Sequence, residues 1–276
     1  MTSQLPQLLV AVDIGNSHIS AALFALNEAG EPSLAVSAGA VQVRLSHQDF
    51  PAAQWQSTVD RWAARGDLRW FVASVHRPGQ ESLLQWLAGQ RSGEKVHVLC
   101  FQDLPLSIEV DTPEQVGMDR LVAAVAVNQL RSPDCPAIVV DCGSAVTCDL
   151  VSAAGVFQGG AIMPGWRLAT QVLAEETDQL PEISWTQPPA EVVGKSTEGA
   201  ISSGVYWGTL GALRELVAQM SQSLTEPPEK FFTGAGSIWS ASLVEEHFRE
   251  ESDLVLTGVA LSGAHVIRQE RLLENG

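Results

Sequence analysis

The chain has 276 residues, of which 45% are hydrophobic and 17% are charged, a balance typical of globular proteins that excludes a disordered chain. Its length is sufficient for two domains of about 100–150 residues each. The formal net charge of −16 argues against a general nucleic-acid binder and against an electrostatic membrane anchor, since both need a basic surface. An anionic ligand therefore requires local positive charge, backbone N–H groups or a metal ion.

The sequence also shows no membrane-spanning or signal segment and no disulfide pattern. No apolar run reaches the roughly 20 residues of a membrane-spanning helix, and the short polar segment Met1–Pro6 does not resemble a signal peptide. The cysteines have neither disulfide-framework nor zinc-ribbon spacing, which predicts reduced thiols. We therefore expect a cytoplasmic protein with neither a membrane nor a nucleic acid as partner.

The first half of the chain predicts the order β-β-β-α-β-α-β. The first three strands read as an antiparallel meander, and the later strands alternate with helices, which predicts parallel pairing. These elements are predicted over residues 8–12, 18–26, 35–45, 50–64, 70–75, 79–88 and 95–99. Trp55 and Trp62 lie seven residues apart on one helix face, so we expect both in the core. An extended connection over 105–113 then leads into an apolar helix that ends near Leu130.

The second half begins like the first. A breaker-rich linker over 131–136 predicts a domain boundary, with domains 1–132 and 133–276. Strands are predicted over 137–141, 146–151, 156–163, 230–233 and 254–256, and helices from 164, over 197–221, over 238–248 and over 258–272. The order of elements predicts an internal duplication of one α/β unit, with Asp13 and Asp141 in matching places. Glycines in the helix over 197–221 indicate close packing against another helix, within the chain or across a dimer.

Two buried strands end in an acid followed by glycine and small polar residues. The first reads Asp13-Ile14-Gly15-Asn16-Ser17, and the second reads Asp141-Cys142-Gly143-Ser144. Glycine lets the backbone approach a ligand, and an acid beside it can hold Mg²⁺ with phosphates, although Asp and Asn also cap ordinary tight turns. A third segment of small residues, over 233–237, lies between a strand and a helix, where a nucleotide can rest on backbone N–H groups.

The segment Gly117-Met118-Asp119-Arg120 places an acid and a base at the start of a helix. A carboxylate there can act as a structural cap, because the N-terminus of a helix favours negative charge. Alternatively, Asp119 can accept a proton from an alcohol, and Arg120 can bind a carboxylate or a phosphate through two hydrogen bonds. The spacing alone leaves both interpretations open.

Together these segments resemble the type III pantothenate kinases of the acetate-kinase, sugar-kinase, Hsp70 and actin superfamily. The most specific match is 113–120, which fits the family pattern Pro-x-x-Val-Gly-x-Asp-Arg. The phosphate segments 13–17 and 141–147 match as well, with Ser where the family often has Thr. Segments 159–165, 194–197 and 233–236 follow in family order, so the resemblance covers about Leu8 to Gly263.

The resemblance implies two ribonuclease-H-like (actin-like ATPase) α/β domains with mixed sheets flanked by helices and a nucleotide cleft between them. It implies the ATP-dependent phosphorylation of pantothenate to 4'-phosphopantothenate, the first step of coenzyme A biosynthesis. The implied cofactors are ATP, Mg²⁺ and a monovalent cation, K⁺ or NH₄⁺. The family is dimeric, so the implied partner is a second copy of the chain.

The resemblance also implies a role for individual residues. Asp119 is the proton acceptor, Asp141 the ligand of the monovalent cation, and Asp13 a ligand of Mg²⁺ through water. The ATP phosphates are held by Asp13, Ile14, Gly15, Asn16, Ser17, His18, Ile19, Ser20 and Ser144. The pantothenate site contains Gly117, Met118, Asp119, Arg120 and Thr197, together with position 110.

Position 110 departs from the family pattern, because Val110 stands where the family usually has an aromatic residue, commonly Tyr. Two alternatives stay open for the function, and Val110 favours only the first of them. One keeps the fold but changes the acceptor to another small alcohol, such as a sugar. The other is a regulatory accessory protein of weak activity, although the presence of Asp13, Asp119 and Asp141 argues against it.

Overall fold

The computed structural model describes residues 8–27, 30–34, 40–44, 52–184, 187–189, 191–234 and 239–274. Within these residues the chain divides into two compact units. The first contains Met1–Leu106, Asp111–Gln129 and Asp253–Gly276, and the second contains Ser107–Val110 and Leu130–Ser252. No helix in the described part of the chain is long and apolar enough to cross a membrane.

The sheet of the first unit is built around β1. Its strands are β1 (Leu8–Ile14), β2 (His18–Leu26), β3 (Pro32–Leu34), β4 (Ala40–Arg44), β5 (Leu68–Ser74) and β6 (Lys95–Val98). Strand β1 pairs antiparallel with β2 and parallel with β5, and β5 pairs parallel with β6. Both β3 and β4 pair antiparallel with β2, at opposite ends of it. The third strand expected over 35–45 corresponds to β4, with 35–39 and 45 outside the described residues, and β3 is a further short strand that the sequence did not predict.

Helices cover both faces of this first sheet. They are α1 (Ala52–Ala63), α2 (Arg77–Gln90), α3 (Met118–Leu130) and α7 (Leu254–Glu274), the last helix of the chain. Alternate residues of β1 pack in one core with α1 and α2, and Trp55 and Trp62 are fully buried there, as predicted. The opposite face meets α7, where an added Cβ at Gly263 would lie 2.6 Å from the Phe71 ring and 3.0 Å from Leu9.

The sheet of the second unit repeats the same order. Its strands are β7 (Ala137–Cys142), β8 (Ala145–Val151), β9 (Phe157–Pro164), β10 (Glu229–Thr233) and β11 (Arg249–Glu250). Strands β9, β8 and β7 are antiparallel neighbours, and β10 and β11 continue parallel to β7. Its helices are α4 (Trp166–Glu175), α5 (Thr197–Gln222) and α6 (Ser240–Glu245). If β3 and β4 count as one position, both sheets have the same sequence of pairings, which confirms the predicted two-sheet α/β fold.

The end of the chain differs from the sequence prediction. Residues 254–256 were expected to be a strand, but they form the first turn of α7. The helix also belongs to the first unit rather than to the predicted domain 133–276. The physical reason is that its buried residues, such as Val259 and Ile267, lie on a helix that packs on β1, β2 and β5. The apolar run beginning at Leu254 is compatible with either a strand or a helix, and this long-range packing selects the helix.

Candidate active site

The first hairpin places Asp13 beside the carboxyl end of a buried strand. Asp13 lies opposite Ser20 on β2 and next to Ala73 on β5, and it is only partly buried. The N–H of Gly15 donates to the carbonyl of His18 (3.0 Å), which closes the turn. Ile14 and Ile19 are fully buried and anchor the two strands, whereas Asn16 and His18 are exposed and Ser17 is partly buried. The hairpin therefore presents a carboxylate, an amide and a hydroxyl above a rigid base.

The second hairpin repeats this geometry. Asp141 lies opposite Thr147 on β8 and next to Thr233 on β10, and like Asp13 it is partly buried. The N–H of Gly143 donates to the carbonyl of Ala145 (2.9 Å), and Ser144 is exposed at the tip. Residues directly opposite one another in a sheet carry their side chains on the same face. The acid of the second hairpin thus has a threonine on each side, where Asp13 has Ser20 and Ala73.

Two glycines hold neighbouring segments against the second hairpin. The N–H of Gly165 donates to the carbonyl of Ser144 (3.0 Å), and an added Cβ at Gly165 would collide with the carbonyl of Gly143. Gly234 follows β10 with a φ of +111°, and a Cβ there would collide with the backbone of Cys142. The structure therefore brings the start of α4 and Gly234 to the end of β7. The sequence placed Gly234 in a segment suited to a nucleotide and Gly165 in a segment that follows the family order, but it did not predict their contact with the second hairpin.

Asp119 occupies the first turn of α3. The backbone N–H of Arg120 donates to Asp119 Oδ1 (2.8 Å), which fixes the orientation of the carboxylate. Gly117 precedes the helix, and an added Cβ there would lie 2.5 Å from Asp119 Oδ1. Burial raises the pKa of the Asp119 carboxyl above its ordinary value, while the hydrogen bond from Arg120 and the charge of its guanidinium act in the opposite direction. An acid with a raised pKa is suited to proton transfer.

The remaining residues of this segment are held by the core of α3. Met118 and Arg120 are partly buried, and the next seven residues, Leu121–Val127, are all buried. Val75 links the segment to the first hairpin, because its N–H donates to the carbonyl of Ile14 (2.9 Å) and its Cγ1 would lie 3.5 Å from a Cβ at Gly117. Within the first unit, the first hairpin and Gly117–Arg120 therefore meet at Val75. This residue was not singled out in the sequence, since an apolar residue after a strand carries no functional signal.

Val110 and Thr197 lie in the second unit. The N–H of Glu109 donates to the carbonyl of Phe157 (2.9 Å), which holds this connection beside β9. Val110 is partly buried, and its Cγ1 would lie 3.5 Å from a Cβ at Gly159, whose φ is +89°. Thr197 is the exposed first residue of α5, where the hydroxyl of Ser196 accepts the N–H of Gly199 (3.0 Å) and caps the helix.

The donor groups of both hairpins fit a cation held mainly by a phosphorylated ligand. Among the described residues, no group of three or more His, Cys, Asp or Glu side chains is arranged to bind a metal ion. Asp13 and Asp141 each stand at the end of a strand next to a glycine-containing turn. Mg²⁺ is commonly bound by one or two carboxylates together with substrate phosphates and water, so this arrangement suits Mg²⁺ with a nucleotide.

Comparisons with known proteins agree on one family. A family model described as type III pantothenate kinase matches residues 9–219. A type III pantothenate kinase of Dehalococcoides mccartyi strain BAV1 is 32% identical over 273 residues, which cover 95% of each chain. The enzyme of the same name from Zymomonas mobilis is 31% identical over 261 residues, covering 92% of this chain and 91% of that one.

Solved structures of other proteins are similar to this chain in their fold. A Baf family transcriptional activator from Campylobacter jejuni superposes with a TM-score of 0.56 at 19% identity, covering 96% of this chain and 99% of that one. The ethanolamine utilization protein EutJ from Carboxydothermus hydrogenoformans gives a TM-score of 0.51 at 18% identity, with 93% and 89% covered. At these identities the likeness concerns the fold alone.

Proposed function

The chain belongs to the type III pantothenate kinase family, and on this premise we propose that Asp119 is the proton acceptor when it transfers the γ-phosphoryl group of ATP to the primary hydroxyl of pantothenate. The observation that carries this role is the environment of Asp119. Its carboxylate is oriented by the N–H of Arg120 and has a raised pKa, and its segment adjoins the first hairpin through Val75.

The proposed chemistry depends mainly on positioning and charge neutralisation. In phosphoryl transfer the protein stabilises charge on the transferred group and aligns the acceptor, while the base contributes less. Asp119 Oδ1 is fixed by the N–H of Arg120, and we assign the other carboxylate oxygen to the alcohol proton. The Arg120 guanidinium is assigned to the carboxylate of pantothenate. Position 110 and Thr197 complete the proposed acceptor site.

The two hairpins are proposed to hold the nucleotide. Residues 13–20 and Ser144 supply short donors and backbone N–H groups to the phosphates, and Asp13 faces a divalent cation through water. A bound divalent cation supplies neutralisation of phosphate charge. Asp141 is proposed to bind K⁺ or NH₄⁺, a role supported by the oxygen-bearing Thr147 and Thr233 that flank it on the sheet.

We propose that the protein functions as a homodimer through the outward face of α5. Tyr206, Leu210 and Leu213 are buried on the inner side of this helix. An added Cβ at Gly204, Gly208 or Gly211 would meet no heavy atom within 4 Å among the described residues. Trp207 is 37% exposed beside these glycines, and Val172 of the neighbouring α4 is 45% exposed. A second copy of the chain can bury this small-residue, apolar face.

The first experiment measures ADP release with Mg-ATP, with and without pantothenate, in K⁺ and in Na⁺ buffers. We expect pantothenate-dependent release that is faster in K⁺. Asp119→Asn should lower kcat by about 10²–10⁴-fold, because general-base catalysis contributes on this scale, while the Kd for ATP stays nearly constant. Unchanged turnover in Asp119→Asn would remove Asp119 from its role, and release with sugars but not with pantothenate would change the acceptor.

A further inference from the structure

The second unit has few positive charges with which to bind an anion. It contains seventeen Asp and Glu residues but only six Lys and Arg residues, all of which are described. Three of the six are ion-paired to carboxylates: Lys195 to Glu191 (3.1 Å), Arg214 to Glu246 (2.5 Å) and Arg249 to Glu251 (2.5 Å). These three charges are therefore already neutralised within the unit.

Two of the other basic side chains are bound to carbonyl groups. Arg131 donates to the carbonyls of Cys135 (2.6 Å) and Ala153 (3.0 Å), and Lys230 donates to the carbonyl of Glu246. Arg167 differs from all five, because its guanidinium has no hydrogen-bonding or carboxylate partner among the described residues. It instead stacks over the ring of Trp166, with 4.9 Å between the guanidinium carbon and the ring centroid.

The backbone of Arg167 lies close to the second hairpin. Arg167 is two residues after Gly165, whose N–H donates to the carbonyl of Ser144 (3.0 Å). Two residues of extended chain span at most about 7 Å, so the backbone of Arg167 lies within this distance of Gly165. Trp166 is partly buried against the core of the second unit and gives the guanidinium a fixed surface. Stacking of this kind pre-orders the side chain before a ligand arrives.

Arg167 is exposed to solvent, and among the described residues its charge is in contact with the Trp166 ring alone. Arg167 lies in the first turn of α4, where the helix dipole disfavours positive charge. An acidic partner would relieve this cost, and the unit has many acids, yet none is paired with Arg167. A guanidinium held in this way is well suited to a phosphate, which it can bind through two hydrogen bonds.

We propose that Arg167 binds the triphosphate of ATP at the loop formed by Gly143 and Ser144. The proposal rests on the assignment of this loop to ATP phosphates, and it adds a charged residue that recognises the nucleotide by its phosphates rather than by its adenosine. Removing the charge should therefore weaken ATP much more than adenosine.

The test compares Arg167→Gln with Arg167→Lys and with the matched control Arg214→Gln, which removes an exposed positive charge from the same unit. Isothermal titration calorimetry measures the Kd for Mg-ATP and for adenosine at one ionic strength. We expect Arg167→Gln to weaken ATP by about 10-fold or more, since a hydrogen bond between charged groups contributes on this scale, with adenosine unchanged. Arg167→Lys should recover part of the loss, and Arg214→Gln should bind ATP like the wild type.

Equal ATP affinity in Arg167→Gln and Arg214→Gln would overturn the proposal, and so would an equal loss for ATP and adenosine. Thermal unfolding of each variant identifies a folding defect. If Arg167→Gln is misfolded, the Kd values of Arg167→Lys and the wild type for ATP and adenosine are compared by the same criteria. The result for ATP binding by Arg167 does not depend on which alcohol accepts the phosphoryl group. If the wild type binds ATP but does not phosphorylate pantothenate, the proposed acceptor is wrong while the role of Arg167 is still decided by binding.

Discussion

At the scale of the residue, Asp119 is subject to opposing requirements of chemistry and stability. Burial raises the pKa of its carboxyl, which makes the ionised form costly but also makes it a stronger base. The hydrogen bond from the N–H of Arg120 to Oδ1 lowers this cost and fixes the direction of the carboxylate. The same contact is available to an Asn side chain, so the charge can be removed with little change of geometry.

We predict that kcat/KM begins to fall at a higher pH during acidification than it would with an ordinary aspartate as the base. The active form of Asp119 is deprotonated, and its raised pKa moves the acidic limb of the kcat/KM profile upward from the usual value near 4. The pH dependence of the free energy of unfolding has the opposite direction. A carboxyl whose pKa is raised by folding stabilises the protein at a pH below its pKa in the unfolded chain, and this contribution is lost as the pH rises through its pKa in the folded protein.

Asp119→Asn should therefore raise the Tm at neutral pH and lose this advantage towards acidic pH, where the wild-type carboxyl is also neutral. Calorimetric scans across this pH range measure the effect. A Tm difference that grows as the pH falls would contradict the assigned direction of the pKa shift.

At the scale of the element, the packing of α7 depends on glycine. An added Cβ at Gly258 would collide with the carbonyl of Val122 on α3, and one at Gly263 would press on the ring of Phe71. These two contacts let α7 approach both a neighbouring helix and the sheet. The last helix therefore covers the first sheet, and its loss would expose one face of β1.

We predict that Gly258→Ala destabilises the protein by about 1–3 kcal/mol, the usual cost of overpacking against a backbone group that cannot move freely. The matched control is Gly89→Ala on α2, where an added Cβ meets no heavy atom within 4 Å among the described residues. This control should be neutral or should stabilise by up to about 1 kcal/mol through helix propensity. Urea unfolding measures both, and equal stability of the two variants would contradict the close approach of α7 to α3.

At the scale of the whole molecule, the outward face of α5 is the surface to which the proposed homodimer is assigned. Its glycines face open space in the described structure, although glycine in the middle of a helix costs stability relative to alanine. A partner helix that approaches closely would explain this cost. The sequence allowed such a partner within the chain or in a second copy, and the proposed homodimer corresponds to the second copy.

We predict that Gly208→Glu converts a dimer into a monomer, because a charged side chain would have to be buried in the interface. Size-exclusion chromatography with light scattering gives the mass directly. Gly89→Glu is the control, since Gly89 lies in the exposed part of α2 in the other unit. A wild-type protein with the mass of one chain, or a dimer that persists in Gly208→Glu, would contradict this assignment of the interface.

Local sequence patterns determined the strands, most helices and the family. The apolar runs that end at Ile14 and Cys142 are buried by any compact fold, and the acid and glycine after each run mark a turn regardless of context. The segment 113–120 carried the resemblance to the family because its pattern is contiguous. These features depend on neighbours along the chain, which a sequence contains in full.

Contacts between distant segments were decided only by the tertiary structure. They assigned the run from Leu254 to a helix of the first unit, added the short strand β3 to the edge of the first sheet, and brought Gly165 and Gly234 to the second hairpin. They also left the guanidinium of Arg167 stacked on Trp166 instead of paired with an acid. Each outcome depends on which backbone or side chain arrives from far along the chain, and no local propensity contains that information.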